Sequence, residues 1–146
     1  MTDSEIVYRC RLRVRESEVD RQQVVFNSRY LEYADVVIGE FLRSRGIPLV
    51  GDELPLMHVR RAVVEYLRPL HFDDEVRGEM RRPQHRRTSV TFHIEFRNEL
   101  DGLLAATAEI VYVHVDPSSG RAQPYPPDFI ERISAPDTLE NGTFRR

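Results

Sequence analysis

The sequence has 146 residues, 40% of them hydrophobic and 31% charged, a length and composition that suit one globular domain. Its 21 basic residues are all arginines and are outnumbered by 24 acidic residues, which gives a net charge of -3. This balance argues against broad binding to nucleic acid or to membrane surfaces, because both normally require a basic excess.

The chain is predicted to begin with a half-buried strand and a helix. Over residues 6–15 apolar side chains alternate with arginines, a period of two that is typical of a strand with one buried face. Residues 28–45 follow helical spacing, with apolar side chains on several sides of the axis. Asn27 or Ser28 can cap the start of this helix, and Gly46 can end it. A helix with so many apolar side chains is expected to be wrapped by a sheet that buries more than one of its sides.

Four further strands and a short helix are predicted after the first helix. The strands cover residues 57–67, 75–82, 90–97 and 103–115, and the short helix covers residues 128–133. The last strand is apolar on both faces and should therefore lie inside the sheet. Short turns between successive strands predict an antiparallel sheet with the long helix on one face. Exposed strand edges are commonly hidden by oligomerisation, so a homodimer or homotetramer is expected.

One segment, residues 18–35, combines features that could carry chemistry. Asp20 is followed by a hydrophobic turn and, seven residues later, by Asn27 at the predicted helix start. Backbone N–H groups at a helix N-terminus, with the positive end of the helix dipole, suit a developing oxyanion. An aspartate in a loop is more often only a turn or capping residue, so the pattern alone leaves its role open.

This segment resembles the active-site signature of the 4-hydroxybenzoyl-CoA thioesterase family of hotdog-fold acyl-CoA thioesterases. The match includes Asp20, the turn Val24-Val25-Phe26 and Tyr30 near the helix start, and the similarity covers roughly residues 6–133, including residues 64–70. The resemblance implies an α+β hotdog fold, in which an antiparallel five-stranded sheet wraps around one long central helix. It also implies a single domain over residues 1–133, followed by a polar C-terminal tail over residues 134–146.

The resemblance also implies roles for individual residues. Asp20 would be the catalytic carboxylate, either attacking the thioester carbonyl or activating water, and the backbone N–H of Asn27 would polarise that carbonyl. The expected substrate-binding residues are Gln23, Val25, Phe26, Tyr30, Arg87, Ser89 and Arg121. The two arginines would contact coenzyme A phosphates. Composition alone favours a solvated basic hairpin around Arg87.

Gln23 departs from the family pattern, which has glycine three residues after the aspartate. Glycine allows a positive φ and close approach to a substrate. A glutamine must either adopt an unusual backbone conformation or accept a differently shaped loop. Its side chain is expected to project into or beside the space near the thioester and to narrow the pocket. Val24 stands where some relatives carry a histidine.

Other residues give weaker signals. Cys10 lies on the apolar face of the first strand, where packing is its expected role, and as the only cysteine it cannot form an internal disulfide. The five histidines lack metal-binding spacing such as His-Glu-x-x-His, and no Gly-x-Ser-x-Gly elbow of a serine hydrolase is present. A polar N-terminus and the lack of a long apolar run predict a cytoplasmic protein without a membrane span.

The expected function is hydrolysis of an acyl-CoA to a free acid and coenzyme A, without a metal or other cofactor. Two alternatives remain open from the sequence. A hotdog dehydratase would use a histidine with an acidic partner near the helix, where the sequence itself places none. A non-catalytic protein that binds acyl thioesters would fit a drifted loop, as Gln22-Gln23 could indicate. The acyl group, and the choice between coenzyme A and an acyl carrier protein, lie beyond the sequence.

Overall fold

Strands and helices occupy most of residues 5–136, which the computed structural model describes together with the backbone of residues 141–143. The elements in chain order are β1 (Ile6–Arg13), a 3-10 turn (Glu16–Glu18), α1 (Arg29–Ser44), β2 (Met57–Tyr66), β3 (Glu75–Arg81), β4 (Gln84–His85), β5 (Ser89–Asn98), β6 (Leu104–His114), α2 (Pro127–Ser134) and β7 (Asn141–Thr143). The predicted long elements therefore exist, with ends that differ by one or two residues.

The strands form one sheet in the order β2-β6-β5-β3-β1-β7, and β4 pairs with β5 beside this path. All pairings between the five long strands are antiparallel, whereas β7 runs parallel to β1. The predicted count of five covers only the long strands, since two- and three-residue strands leave no period in a sequence. β6 lies inside the sheet, as its apolar faces predicted, although it is next to the edge strand β2.

The long helix α1 packs on one face of this sheet and contacts β1, β3, β5 and β6. Tyr33, Val37 and Phe41 of α1 are completely buried, as are Phe92 and Phe96 of β5. The approach is closest at Gly78 of β3, where an added Cβ would lie 2.6 Å from Cγ2 of Val37. Glycine at this strand position therefore lets the helix settle onto the sheet.

The opposite face of the sheet carries a network of ion pairs. Glu79 of β3 lies at its centre, with its side chain only 6% exposed. It accepts hydrogen bonds from Arg9 at 2.8 Å and from Arg97 at 2.9 Å, and Arg77 adds a third positive charge at 3.6 Å. Burial by itself raises the pKa of Glu79, but the bonds from Arg9 and Arg97 outweigh burial and hold its pKa below the usual range. The arginines that alternate along β1 thus face this network.

The C-terminal part of the chain begins with α2, which extends the predicted helix by one residue at each end. The predicted tail of residues 134–146 starts with the last residue of α2, and the backbone of β7 within it pairs with β1. Residues 137–140 and 144–146 lie outside the described part of the chain. Within the described residues, no helix combines the length and apolar character needed to cross a membrane.

Candidate active site

Asp20 lies at the tip of a tight hairpin that connects the 3-10 turn to α1. Val19 pairs with Val25 across this hairpin. The backbone N–H of Asp20 donates to the carbonyl of Val24 at 2.9 Å, and the N–H of Gln23 donates to the carbonyl of Asp20 at 3.0 Å. Residues 20–23 therefore form a hydrogen-bonded β-turn that fixes the backbone at Asp20, and the hairpin continues into α1.

Gln23 has a φ of +65°, the left-handed conformation for which glycine is favoured. The chain thus keeps the backbone shape that the family glycine would give, and of the two sequence-based options the unusual backbone is the one adopted. A side chain in this conformation costs about 1–2 kcal/mol. The Gln23 side chain is exposed at the tip of the turn.

The carboxylate of Asp20 is half-buried and is held at one oxygen. Its Oδ1 accepts the backbone N–H of Gln22 at 2.8 Å, which is the short-range bond expected of a turn aspartate. Within residues 5–136, Asp20 has no ion pair and its Oδ2 has no hydrogen-bond donor. One oxygen therefore fixes the turn, while the other is available to a water molecule or a substrate.

The start of α1 is braced from β2. Ser28 occupies the N-cap position, but its side chain makes no capping hydrogen bond, unlike the prediction. The Tyr66 hydroxyl donates to the carbonyl of Asn27 at 3.1 Å, and the Tyr66 ring packs edge-on against Tyr30 at 5.3 Å. Within residues 5–136, no acceptor is hydrogen-bonded to the N–H of Asn27. This N–H is therefore free to meet a carbonyl oxygen of a ligand.

The other predicted contacts around the hairpin differ in burial. Val25 is buried in the core, and its N–H donates to the carbonyl of Leu70 at 2.8 Å. Phe26 is 49% exposed and presents an apolar ring beside the helix start. Tyr30 is buried, and this burial raises the pKa of its phenol to about 12, so the hydroxyl stays protonated near neutral pH.

Arg87, Ser89 and Arg121 lie together at the other end of the sheet. Ser89 opens β5 and pairs with Val113, near the end of β6. The loop after β6 folds back so that the N–H of Tyr125 donates to the carbonyl of Arg87 at 3.1 Å. Arg87 and Arg121 are both exposed, and neither has an ion pair within residues 5–136. Two unpaired guanidinium groups at one sheet end could bind phosphate.

A single chain does not bring the two groups of predicted residues together. The Asp20 hairpin is anchored near Tyr66, which pairs with Ala106, whereas Ser89 pairs with Val113. Seven residues of β6 separate these two levels, roughly 23 Å along an extended strand. Asp20 and Asn27 therefore belong to one region, the loop before α1, and the arginines belong to another.

Two features near the hairpin escaped the sequence analysis. Glu18 and Tyr33 form a buried hydrogen bond of 2.9 Å beneath it. His71 pairs with Val24 through an isolated bridge and has Asp74 at 3.7 Å from its Nδ1, so a histidine with an acidic partner does lie beside the loop. His71 and Asp74 are only three residues apart, but the bridge from Val24 to His71 and the bond from Tyr33 to Glu18 join segments that are distant in the sequence, so no local pattern places either feature at the hairpin.

The chain is similar to known thioesterases in sequence and in structure. The family model described as the thioesterase-like superfamily matches residues 14–133. A protein of Aquifex aeolicus (strain VF5), provisionally named an esterase, is 31% identical over 127 residues, which is 83% of this chain and 93% of that protein. A thioesterase of Thermus thermophilus, solved as a complex with coenzyme A and zinc, is 27% identical with a TM-score of 0.70, covering 87% of this chain and 92% of the other.

The fold agreement is higher still with a 1,4-dihydroxy-2-naphthoyl-CoA thioesterase from Synechocystis. That structure has a TM-score of 0.81 at 18% identity, with coverage of 88% of this chain and 96% of the other. The chain therefore belongs to the thioesterase-like superfamily, has its hotdog-like α+β fold and is a thioester hydrolase by class. The resemblance found in residues 18–35 is confirmed at the level of the family.

Proposed function

We propose that this protein hydrolyses acyl-CoA thioesters to a free acid and coenzyme A, with Asp20 as the catalytic carboxylate. The observation that carries the proposal is the hairpin that holds a half-buried carboxylate, with one free oxygen, on the loop that leads into α1. Membership of the thioesterase-like superfamily supports the reaction class. The coenzyme A complex of the Thermus thermophilus thioesterase supports this carrier rather than another.

The chemistry needs only groups that the hairpin and the helix provide. Oδ2 of Asp20 attacks the thioester carbonyl to form a mixed anhydride that water then cleaves, or it removes a proton from the attacking water. The oxyanion of the tetrahedral intermediate accepts a hydrogen bond from the N–H of Asn27 at the positive end of α1. The coenzyme A thiolate leaves and is protonated. Phe26, Tyr30, Val25 and Gln23 would surround the acyl group.

The separation of Asp20 from the arginines supports a site built by two chains. β2 is an edge strand of ten residues, and most of its side chains are exposed on both faces. A long open edge of this kind is a template for pairing. If two copies pair antiparallel along β2, the Tyr66 end of one strand lies beside the Met57 end of the other. Met57 pairs with His114, close to Val113 and Ser89.

In such a homodimer, Asp20 of one copy would face Arg87, Ser89 and Arg121 of the second copy. The arginines would bind the coenzyme A phosphates, while the acyl end reaches the Asp20 hairpin. A homotetramer would contain two of these dimers. The proposed domain over residues 1–133 holds every residue that this site uses.

Complementation between two damaged variants tests the shared site. Asp20→Asn and Arg87→Ala chains are co-expressed, and kcat/KM is measured at low substrate concentration. Random pairing makes about half of the dimers mixed, and in each mixed dimer one of the two sites combines an intact Asp20 with an intact Arg87. The kcat/KM of the mixture should therefore recover to roughly a quarter of the wild-type value. If the mixture only averages the two single variants, each site is contained in one chain.

Hydrolysis of a panel of short-chain, long-chain and aromatic acyl-CoAs, followed with a thiol reagent, tests the activity itself. Release of thiol that depends on Asp20 supports the proposal, and lack of turnover of every substrate would favour an acyl-thioester binder. His71, with Asp74 at 3.7 Å, supplies the histidine and acidic partner that the dehydratase alternative would use. That alternative requires an unsaturated product from a 3-hydroxyacyl-CoA and its loss in His71→Ala.

A further inference from the structure

Glu18 is a buried carboxylate directly beneath the Asp20 hairpin. The residue is only 5% exposed. Its Oε1 accepts the backbone N–H of Arg15 at 2.8 Å and the phenol hydroxyl of Tyr33 at 2.9 Å. A carboxylate is costly to bury unless donors of this kind compensate for the lost water. The two bonds therefore fix the Glu18 side chain in one position.

The same residue also joins the hairpin through its backbone. The carbonyl of Glu18 accepts the N–H of Phe26 at 2.9 Å, and Val19, the next residue, pairs with Val25. The hairpin thus begins at Glu18 and ends at Phe26, and Asp20 follows Glu18 by two residues. A shift of Glu18 would move the carboxylate of Asp20 with it.

Tyr33 connects this residue to the rigid part of the fold. It belongs to the second turn of α1, is 0% exposed and packs edge-on against Tyr30 at 5.8 Å and Phe96 at 6.3 Å. Its ring is therefore held by the core, and its hydroxyl donates the hydrogen bond that joins the second turn of α1 to Glu18 at the base of the hairpin. The backbone N–H of Asn27 belongs to the loop just before this same helix.

We propose that Glu18 and Tyr33 are positioning residues that set the distance between the Asp20 carboxylate and the N–H of Asn27. The inference rests on the proposed function, because it concerns how that site is held. Neither residue contacts the substrate, so both act through Asp20. Catalytic geometry is sensitive, since a displacement of about 1 Å can lower a rate by about 100-fold. A loosened hairpin should lower kcat and leave the contacts to coenzyme A unchanged.

Tyr33→Phe is the main test, because it removes one hydroxyl and keeps the aromatic packing. We expect kcat to fall about 10-fold and KM to stay within about twofold, since binding at the far end of the sheet is untouched. Tyr125→Phe is the matched control. It removes another buried tyrosine hydroxyl, which donates to the carbonyl of Tyr112 at 3.2 Å, and it should leave kcat unchanged. Equal losses of kcat in both variants, or no loss in Tyr33→Phe, would overturn the proposal.

Two variants of Glu18 separate the hydrogen bonds from packing. Glu18→Gln keeps an oxygen that can accept both bonds and should retain kcat within about threefold, whereas Glu18→Leu fills the space without an acceptor and should lose about 10-fold. If Glu18→Leu does not fold, Tyr33→Phe decides alone. Asp20→Asn is measured beside them with the best acyl-CoA of the panel. Loss of turnover in Asp20→Asn but not in Tyr33→Phe rejects only the positioning role, whereas full activity of Asp20→Asn rejects the proposed function.

Discussion

The outer face of the sheet, which is the face opposite α1, differs from the candidate site in how its charged side chains are paired. On the outer face, Arg9, Arg77 and Arg97 surround Glu79, so positive and negative groups neutralise one another. At the candidate site, Asp20 and Arg87 have no ion pair within residues 5–136. A paired charge already has its partner inside the protein, whereas an unpaired charge at the surface can accept one from a ligand.

This difference separates stability from activity. A hydrogen-bonded carboxylate that is nearly buried, such as Glu79, leaves uncompensated charge behind when it is neutralised, so its replacement should affect folding. Arg87 is exposed, and the half-buried Asp20 makes one hydrogen bond, to the N–H of Gln22, that an asparagine can keep. Side chains of this kind contribute little to folding. Replacement of Asp20 or Arg87 should therefore change turnover or binding and leave the free energy of unfolding nearly unchanged.

Asp20→Asn should have the largest effect, because it removes the catalytic carboxylate. We expect kcat to fall by about 100-fold or more, as loss of a general base or nucleophile does. The asparagine keeps an oxygen for the N–H of Gln22, so circular dichroism and Tm should not change. Asp101→Asn is the matched control, since Asp101 caps a similar turn by accepting the N–H of Leu103 at 2.9 Å. A folded Asp20→Asn protein with near wild-type kcat would place the chemistry elsewhere.

Glu79→Gln should change stability instead of activity. We expect the free energy of unfolding at pH 7 to fall by about 2 kcal/mol, the scale of hydrogen bonds to a charged group, measured with urea, while kcat/KM stays unchanged. Because the folded-state pKa of Glu79 is lowered, its contribution is present above the ordinary carboxyl pKa and is lost as the pH falls through the lowered value. The difference in the free energy of unfolding between wild type and Glu79→Gln should therefore become smaller below about pH 4.

The control for this experiment is Glu53→Gln. Glu53 is 63% exposed and pairs with Arg132 at 3.7 Å, so its loss should change the free energy of unfolding by less than about 0.5 kcal/mol. Equal changes in the free energy of unfolding at pH 7 would show that burial of the Glu79 network does not add to its stabilising effect.

Arg87→Ala and Arg121→Ala should weaken binding of the substrate. Loss of a charge-assisted bond to phosphate is expected to raise KM about 10-fold and to leave kcat within about twofold. Arg43→Ala, which removes an exposed arginine paired with Glu40 on α1, should leave KM unchanged. Unchanged KM in both site variants would indicate that this region is an ordinary solvated turn that does not bind coenzyme A.

Gln23→Gly should have the smallest effect. Glycine relieves the strain of a φ of +65° but loses more chain entropy on folding, so the net gain should be about 0.5–1 kcal/mol. For a chain of this size the gain should raise Tm by about 2 °C. Gln22→Gly, at the neighbouring position without a positive φ, should lower Tm or leave it unchanged. A higher Tm in both variants would argue against relief of strain.

The same variant tests the acyl preference. If the Gln23 side chain narrows the acyl site, its removal should raise kcat/KM for a bulky aromatic acyl-CoA relative to a short-chain one. A ratio that does not move means that this side chain points away from the substrate.

The sequence alone determined the elements of the fold and indicated where to propose the centre of the site. The strands β1 and β5 follow a period of two, and the helix α1 follows a period of 3.6. Both periods are local properties of the sequence and are therefore visible without a structure. Asp20 and Asn27 could be proposed as site residues because the segment that resembles the family signature is continuous in the sequence. The left-handed conformation of Gln23 was one of two options that the missing glycine left open.

Only the tertiary structure decided how these pieces are arranged. The sheet order places β1 beside β3 and leaves β2 at an edge, and this order separates Asp20 from Arg87 along β6. Burial of Glu18 against Tyr33 arises from a contact between residues 15 positions apart, in two different elements. Such contacts depend on how the helix packs on the sheet, and no local period encodes that packing.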